Sequence, residues 1–394
     1  MKKISLVLLL AAGSALLVTS CKKETTTASS APLVEDPNEC VVGTSVKNGD
    51  IIPGQYIVGY NAGSVNRTTG VSAMETISEN VLERNDIPEE KMKEVFGGER
   101  GGFVAKLNNE EAQKLRSDPA VNIVEPDRIV ALGNCFTIAE PRLITWNISR
   151  VGYGDGRGKR AWIIDSGIDM DHPDLTVDAT KSKSFLTGNA SPDDEHGHGT
   201  HVAGIIGGNN NAIGVLGVAS GATLISLRVL NAEGTGTVSS IIQALAYVNT
   251  NASAGDVVNM SLGEEITSAV LNQEVQNTAS RGIFIAIAAG NKAEPANKYS
   301  PANTNGANIF TVSAIDSLDR FALFSNYGND VVDYAAPGVR ILSTYSQGRY
   351  AYLSGTSMAA PHVAGLLLLK GRSLTSSGTA KEDPDGIPDP IAHY

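Results

Sequence analysis

Cysteine is scarce in this sequence: three in 394 residues, too few for a disulfide-built scaffold. Charge is also sparse, at 19% of residues, and its formal balance is −11. An acidic chain has no long-range attraction for phosphate, which excludes nucleic acid as a partner. The acidity is not gathered into a tail. Apart from the N-terminus, no stretch reaches the roughly 18 consecutive apolar residues a membrane helix needs. No unit recurs at a period of roughly 20–50 residues, so a solenoid or propeller is excluded. What is abundant is apolar side chains, 42%, and glycine, 41 residues. The first supplies a large core; the second points to many tight turns and close backbone approaches. At about 100–200 residues per domain, the length gives two or three domains.

The N-terminus carries an export pattern. Lys2 and Lys3 precede an apolar stretch from Ile4 to Val18, too short for a spanning helix and placed as a secretory signal peptide over 1–20. It ends Val18-Thr19-Ser20-Cys21, which resembles a bacterial lipobox with Cys21 as the lipidated residue. That would make a lipid on Cys21 the only link to a membrane. Residues 22–37 are polar and lack apolar periodicity, so 21–52 reads as a tether. With Cys21 set aside, Cys40 and Cys135 allow one disulfide, against the alternative of two free thiols.

Residues 53–131 read as a small α+β unit. Gln55–Tyr60 is a strand, Val71–Arg84 a helix with Val71, Met74, Ile77 and Val81 on one face, and Gly101–Leu107 a strand. A short helix from Asn108 to Leu115 and a strand over Val121–Asp127 follow. Strand, helix, strand, helix, strand is a ferredoxin-like pattern, here without a histidine or any catalytic grouping. Residues 132–145 read as a linker. In 146–394 near-continuous apolar strands at Ala161–Ile164, Thr223–Val229, Val257–Met260, Gly282–Ile287 and Ile309–Val312 alternate with helical stretches at His201–Ile206, Val238–Val248 and Ile266–Ala279. This predicts an α/β domain, a mainly parallel sheet with helices on both faces.

Ligands in such sheets bind beyond the carboxyl ends of the strands. Asp165 stands there, ending Trp162-Ile163-Ile164. His196-Gly197-His198-Gly199-Thr200-His201 puts three of the six histidines within six residues, open to a metal reading or to one functional histidine at a helix start. Ser357, in Gly355-Thr356-Ser357-Met358-Ala359-Ala360-Pro361, opens an apolar helix whose unpaired N–H groups suit an oxyanion. Asp165, His198 and Ser357 occur in that order, a known order for a catalytic triad. A Gly-x-Ser-x-Gly elbow is lacking around Ser357, which argues against an α/β-hydrolase.

The segments around these three residues resemble the three signature segments of the subtilases, over roughly 145–370. The resemblance implies a subtilisin-like fold and a serine endopeptidase of broad specificity, acting on extended polypeptides through an acyl-enzyme intermediate. It implies that Asn291, after the 282–287 strand, joins the Ser357 N–H in holding the oxyanion. It further implies that Gly234-Thr235-Gly236 and Ser261-Leu262-Gly263 flank an extended substrate as two strands. Asn209-Asn210-Asn211-Ala212-Ile213-Gly214-Val215 resembles the family's calcium loop, with Asp174, Asn211 and the carbonyls of Asn209, Ile213 and Val215 as oxygen ligands for Ca²⁺. A second calcium-like stretch, Asp383–Asp389, is interrupted by prolines and lacks partners. The 53–131 unit resembles the family's inhibitor-type propeptide, notably at Val124-Glu125-Pro126-Asp127, so the chain's own propeptide becomes its intramolecular inhibitor. The expected molecule is a monomeric zymogen, held in a bacterial cell envelope and then periplasmic or extracellular once processed. The competing reading from another class is a catalytically silent, subtilase-like binding lipoprotein, whose expected mark is loss of one of Asp165, His198, Ser357 or Asn291. All four are present.

Overall fold

Alternation along a strand decides which side chains it buries, and in β1 (Ile51–Tyr60) both faces are apolar. Val58 and Tyr60 enter a core shared with Met74, Val81, Phe103 and Leu115, while Ile57 points the opposite way. The computed structural model describes residues 48–61, 71–97, 101–132, 137–138, 143–263 and 267–394. The signal peptide, the lipobox, Cys40 and Cys135 lie outside them.

The first unit runs β1, α1 (Val71–Arg84), β2 (Met92–Phe96), β3 (Gly102–Lys106), α2 (Asn109–Arg116) and β4 (Val121–Ala131). Its antiparallel strands lie in the order β4-β1-β3-β2, the full ferredoxin-like arrangement. The sequence reading lacks β2. Met92-Lys93-Glu94-Val95-Phe96 carries two charges in five residues, and it is an edge strand, where charge is tolerated. Helix α2 starts as its sequence predicts: Asn108 Oδ1 accepts from Glu111 N and Glu111 Oε2 accepts from Asn108 N, both at 2.9 Å.

The second unit is built on a nine-stranded sheet. Its order is Thr375–Thr379, Pro390–His393, Val332–Pro337, Ile309–Ile315, Phe284–Ala288, Val257–Met260, Arg160–Asp165, Thr223–Arg228, Lys183–Ser184. The pairings are parallel except for Thr375–Thr379, which runs antiparallel on Pro390–His393. Ala161 and Ile163 face a core with α4 (His198–Gly207) and α7 (Thr356–Lys370). Trp162 and Ile164 face α5 (Val238–Asn251) and α6 (Ala269–Ser280). Helix α3 (Trp146–Val151) precedes the sheet, and Thr137–Ile138, inside the expected linker, already pairs with Arg349–Leu353.

The two units share apolar packing. Ile57, Phe96, Val104 and Val130 pack with Ile241, Leu245 and Val270 of α5 and α6. Asp127, fully buried, accepts from Ser239 N (3.2 Å) and Ser239 Oγ (2.6 Å) in the first turn of α5. Glu125 accepts from Ser268 Oγ and from Ala269 N at the start of α6. Two carboxylates of one strand thus meet the positive ends of two helices.

Candidate active site

Three chain segments deliver the site to the carboxyl ends of two neighbouring interior strands. Asp165 ends the Arg160–Asp165 strand, fully buried, and Val229 N donates to its carbonyl at 2.8 Å. His198 opens α4, which can approach because residue 199 is glycine: a Cβ there would lie 2.1 Å from Gly167 O. His198 Nδ1–H donates to Asp165 Oδ1 at 2.8 Å. Burial alone would depress the imidazole, but the Asp165 carboxylate, helped by Asp194, outweighs it, and the pKa of His198 lies above its ordinary value.

Ser357 stands in the first turn of α7, an apolar helix buried from Thr356 to Leu368. Its hydroxyl donates to Ser261 O at 3.2 Å, and Ser261 Oγ donates to Ser357 O at 2.7 Å. Ser261 directly follows Met260, which is paired with Ile164, the neighbour of Asp165. The serine is thus tied to the strand adjacent to the one bearing Asp165. Asn291 Oδ1 accepts from Thr356 N (2.8 Å) and Thr356 Oγ1 (2.9 Å), and Thr356 Oγ1 accepts from Gly290 N (3.0 Å). With its oxygen held on Thr356, the Asn291 amide leaves Nδ2 as its free end, beside Gly355.

The other histidines separate from this group. His201 Nε2 lies 3.0 Å from both Ile341 O and Ala351 O, and burial, with the charge of His198, pulls its pKa down to about 3. His362 donates through Nδ1 to Met358 O and accepts from Asn147 Nδ2, and burial pulls it down to about 4. Both are neutral structural rings. His196 stays near His198, with ring centroids 6.3 Å apart. Among the described residues no three His, Cys, Asp or Glu side chains form a metal-binding group, so the three-histidine metal reading fails: His201 is committed to backbone carbonyls.

Some partners escaped the sequence reading. Asp194 Oδ1 accepts from Ser166 Oγ, His196 N and Gly197 N, and Oδ2 from Thr200 N and Oγ1, so one buried carboxylate shapes the loop before α4. Its signal was an acid four residues before a histidine at a helix start. Thr356 was visible only as a neighbour of Ser357.

The expected substrate strands flank the end of β4. Ala131, Val130 and Ile129 pair antiparallel with Thr235, Gly236 and Thr237, and Leu132 N donates to Gly234 O at 2.8 Å. On the other side a side chain spans the gap between β4 and Gly263. Asn48 intervenes: its Oδ1 accepts from Ala131 N (3.0 Å) and its Nδ2 donates to Gly263 O (2.9 Å).

The expected calcium ligands gather around one turn. Asp174, fully buried, accepts from neutral donors: Val215 N (2.7 Å), Asn211 Nδ2 (2.9 Å) and Tyr350 OH (3.5 Å). Burial pushes its pKa up to about 6. A Cβ on Gly214 would lie 1.8 Å from Asp174 Oδ2, so the turn closes on the carboxylate only with glycine there. Asn209 N donates to Asp174 O, and Ile213 N to Asn211 Oδ1. The charge of this buried carboxylate is met by neutral donors, the chemistry that a hard cation would complete, while Asn211 turns its Nδ2 to Asp174 and its Oδ1 to Ile213 N.

Comparison with known proteins places this geometry. Residues 159–375 match the model of the subtilase family, and residues 55–133 that of the peptidase inhibitor I9 family. The alkaline protease of Alkalihalobacillus alcalophilus is 42% identical over 271 residues, covering 67% of each protein. Proteinase R of Parengyodontium album is 36% identical over 349 residues, 84% of this chain and 83% of that protein. Alkaline serine exoprotease A of Vibrio alginolyticus is 34% identical over 356 residues; the match takes in 87% of this chain but 65% of that protein's length. The crystal structure of a cold-adapted subtilisin-like serine proteinase superposes with a TM-score of 0.57 at 32% identity, over 64% of this chain and 98% of that one.

Proposed function

The chain belongs to the subtilase family of serine proteases, and from that premise we propose that it is an exported serine endopeptidase made as a self-inhibited precursor. The observation that carries this is the Asp165–His198 bond at 2.8 Å, at the end of a strand whose neighbour leads into Ser261, the residue bonded to Ser357. Serine is a weak nucleophile near neutrality and needs a base. His198 Nε2 takes the Ser357 proton as Oγ attacks a substrate carbonyl, and returns it to the leaving amine. Asp165 fixes the tautomer with Nδ1 protonated and stabilises the imidazolium that forms. The Ser357 N–H and Asn291 Nδ2 receive the developing oxyanion. Water then hydrolyses the acyl-enzyme.

Substrate would bind as an extended strand against Thr235–Thr237, in the place β4 occupies. Main-chain pairing of this kind reads backbone first, so broad specificity follows. The I9-type unit is the intramolecular inhibitor, and removing it activates the enzyme. Ca²⁺, bound by Asp174, Asn211 and the carbonyls of Asn209, Ile213 and Val215, would neutralise the buried carboxylate and brace the loop after α4. A lipid on Cys21 would hold the precursor at the envelope, and processing would release a monomeric protease. Ser357→Ala should abolish casein hydrolysis and leave the precursor uncut. Normal turnover by that variant would sink the assignment.

A further inference from the structure

Helix α7 carries a built-in gap at its most sensitive point. In an α-helix the carbonyl of residue i accepts from the N–H of residue i+4. For Ser357 that residue is Pro361, which has no N–H. The nucleophile's own carbonyl is therefore denied its ordinary partner, in a turn where Ser357 is nine-tenths buried. An unmet buried carbonyl is costly, so the question is what fills it.

Ser261 fills it. Its Oγ donates to Ser357 O at 2.7 Å. A hydroxyl has one proton, so once donated there Ser261 Oγ can only accept elsewhere. Asn259 supplies that donor: its Nδ2 gives a hydrogen bond to Ser261 Oγ at 2.8 Å. Asn259 and Ser261 are both fully buried. Asn259 lies within Val257–Met260, hydrogen-bonded on both sides to neighbouring strands. The relay therefore runs from the rigid centre of the sheet, through one amide and one hydroxyl, to the carbonyl of residue 357.

We propose that Asn259 and Ser261 are positioning residues for the nucleophile, acting through the Ser357 carbonyl that Pro361 leaves free. The inference rests on Ser357 being the nucleophile. Holding that carbonyl fixes the first turn of α7. It thereby fixes the two features chemistry needs from residue 357, the direction of its N–H toward the oxyanion and the location of Oγ. Ser261 also lies in the second expected substrate strand, but pairing with an extended chain there uses its main-chain groups, whereas the relay uses only its side-chain hydroxyl. Loss of the relay should accordingly appear in kcat and leave KM nearly unchanged.

The test uses the full chain, with active sites counted by titration with a serine-directed phosphonate so that kcat is per functional site. Ser261→Ala should lower kcat on the order of 10- to 100-fold with KM within about twofold. Asn259→Ala should lower it in the same sense by less, since Ser261 keeps its hydroxyl. The decisive measurement is rescue. Pro361→Ala restores an N–H at i+4, so in the Ser261→Ala background it should recover most of the lost kcat. A merely structural role for Ser261 predicts no such recovery. Unchanged kcat in Ser261→Ala would overturn the proposal, as would a folded Ser261→Ala/Pro361→Ala double variant no faster than Ser261→Ala. If Ser261→Ala fails to mature, Asn259→Ala is compared with Asn259→Ala/Pro361→Ala instead. Recovery of kcat in that double variant supports the relay, and its absence overturns it. Activity surviving in Ser357→Ala would be a different failure, that of the nucleophile assignment itself.

Discussion

At the scale of single residues the site is a set of side chains whose second atoms are already spent. Asn291 gives its oxygen to Thr356, and in the proposed mechanism its amide protons serve the substrate. Asn291→Ala should therefore cut kcat by about 100- to 1000-fold while KM moves little, because the lost bond forms mainly in the transition state. Steady-state kinetics on a peptide anilide checks this. His198 must be neutral to act as base, and Asp165 holds its pKa above the ordinary imidazole value of about 6.5. Activity should rise with pH through that raised pKa, and Asp165→Asn should move the acid limb downward as well as slow turnover. A pH profile of kcat/KM that turns below 6.5 in the native chain would contradict the electrostatics. Asp165, His198 and Ser357 were legible in the sequence because each ends a strand or opens a helix in a characteristic segment, whereas Asn291 was legible only through the resemblance to the subtilases. Asp194 and Thr356 were not, because they act through bonds to backbone N–H groups that only the folded loop brings near.

Among elements, β4 does the most. It closes the first sheet, meets two helix N-termini with Glu125 and Asp127, and ends along Thr235–Thr237. Asp127→Ala would remove the carboxylate from the first turn of α5, whose own cap Thr237 stays in place, and would take from Ser239 N the acceptor it has in that strand. After self-cleavage it should weaken the retained inhibitor by ~1–2 kcal/mol, roughly 5- to 30-fold in Kd. Burial raises the pKa of Glu125 in the complex. Its contribution to binding is then fully present below the ordinary glutamate value and lost as pH rises through the raised one. Inhibition should loosen toward alkaline pH, and Glu125→Gln should flatten that dependence; inhibition constants across the pH range read both. The strand cores and helices came through from apolar periodicity. Strand β2 did not, because an edge strand need not alternate. The Asn48 bridge lies ahead of any periodic segment, so nothing local marks it.

For the whole molecule, the parallel sheet and its two helical layers were readable from apolar strands alternating with helices. The seam between the units was not, since Ile57 and Val104 look like ordinary core positions until their partners are seen. Global stability should depend on calcium. A ligand that binds only the folded state adds about 2.7 kcal/mol at a hundredfold excess over Kd. EGTA should lower the melting temperature and speed self-digestion, and Asp174→Ala should remove most of that response. A melting curve indifferent to EGTA would leave the turn around Asp174 without an ion. The seam also has a consequence in time. Because Ile129–Ala131 lies on a strand of its own molecule, the first cut needs no encounter, and its half-time should not change on dilution. Disposal of the severed inhibitor is different, for one freed molecule must find another's. A crowd of these precursors would stay silent for an interval and then awaken together, sooner the more densely they are packed.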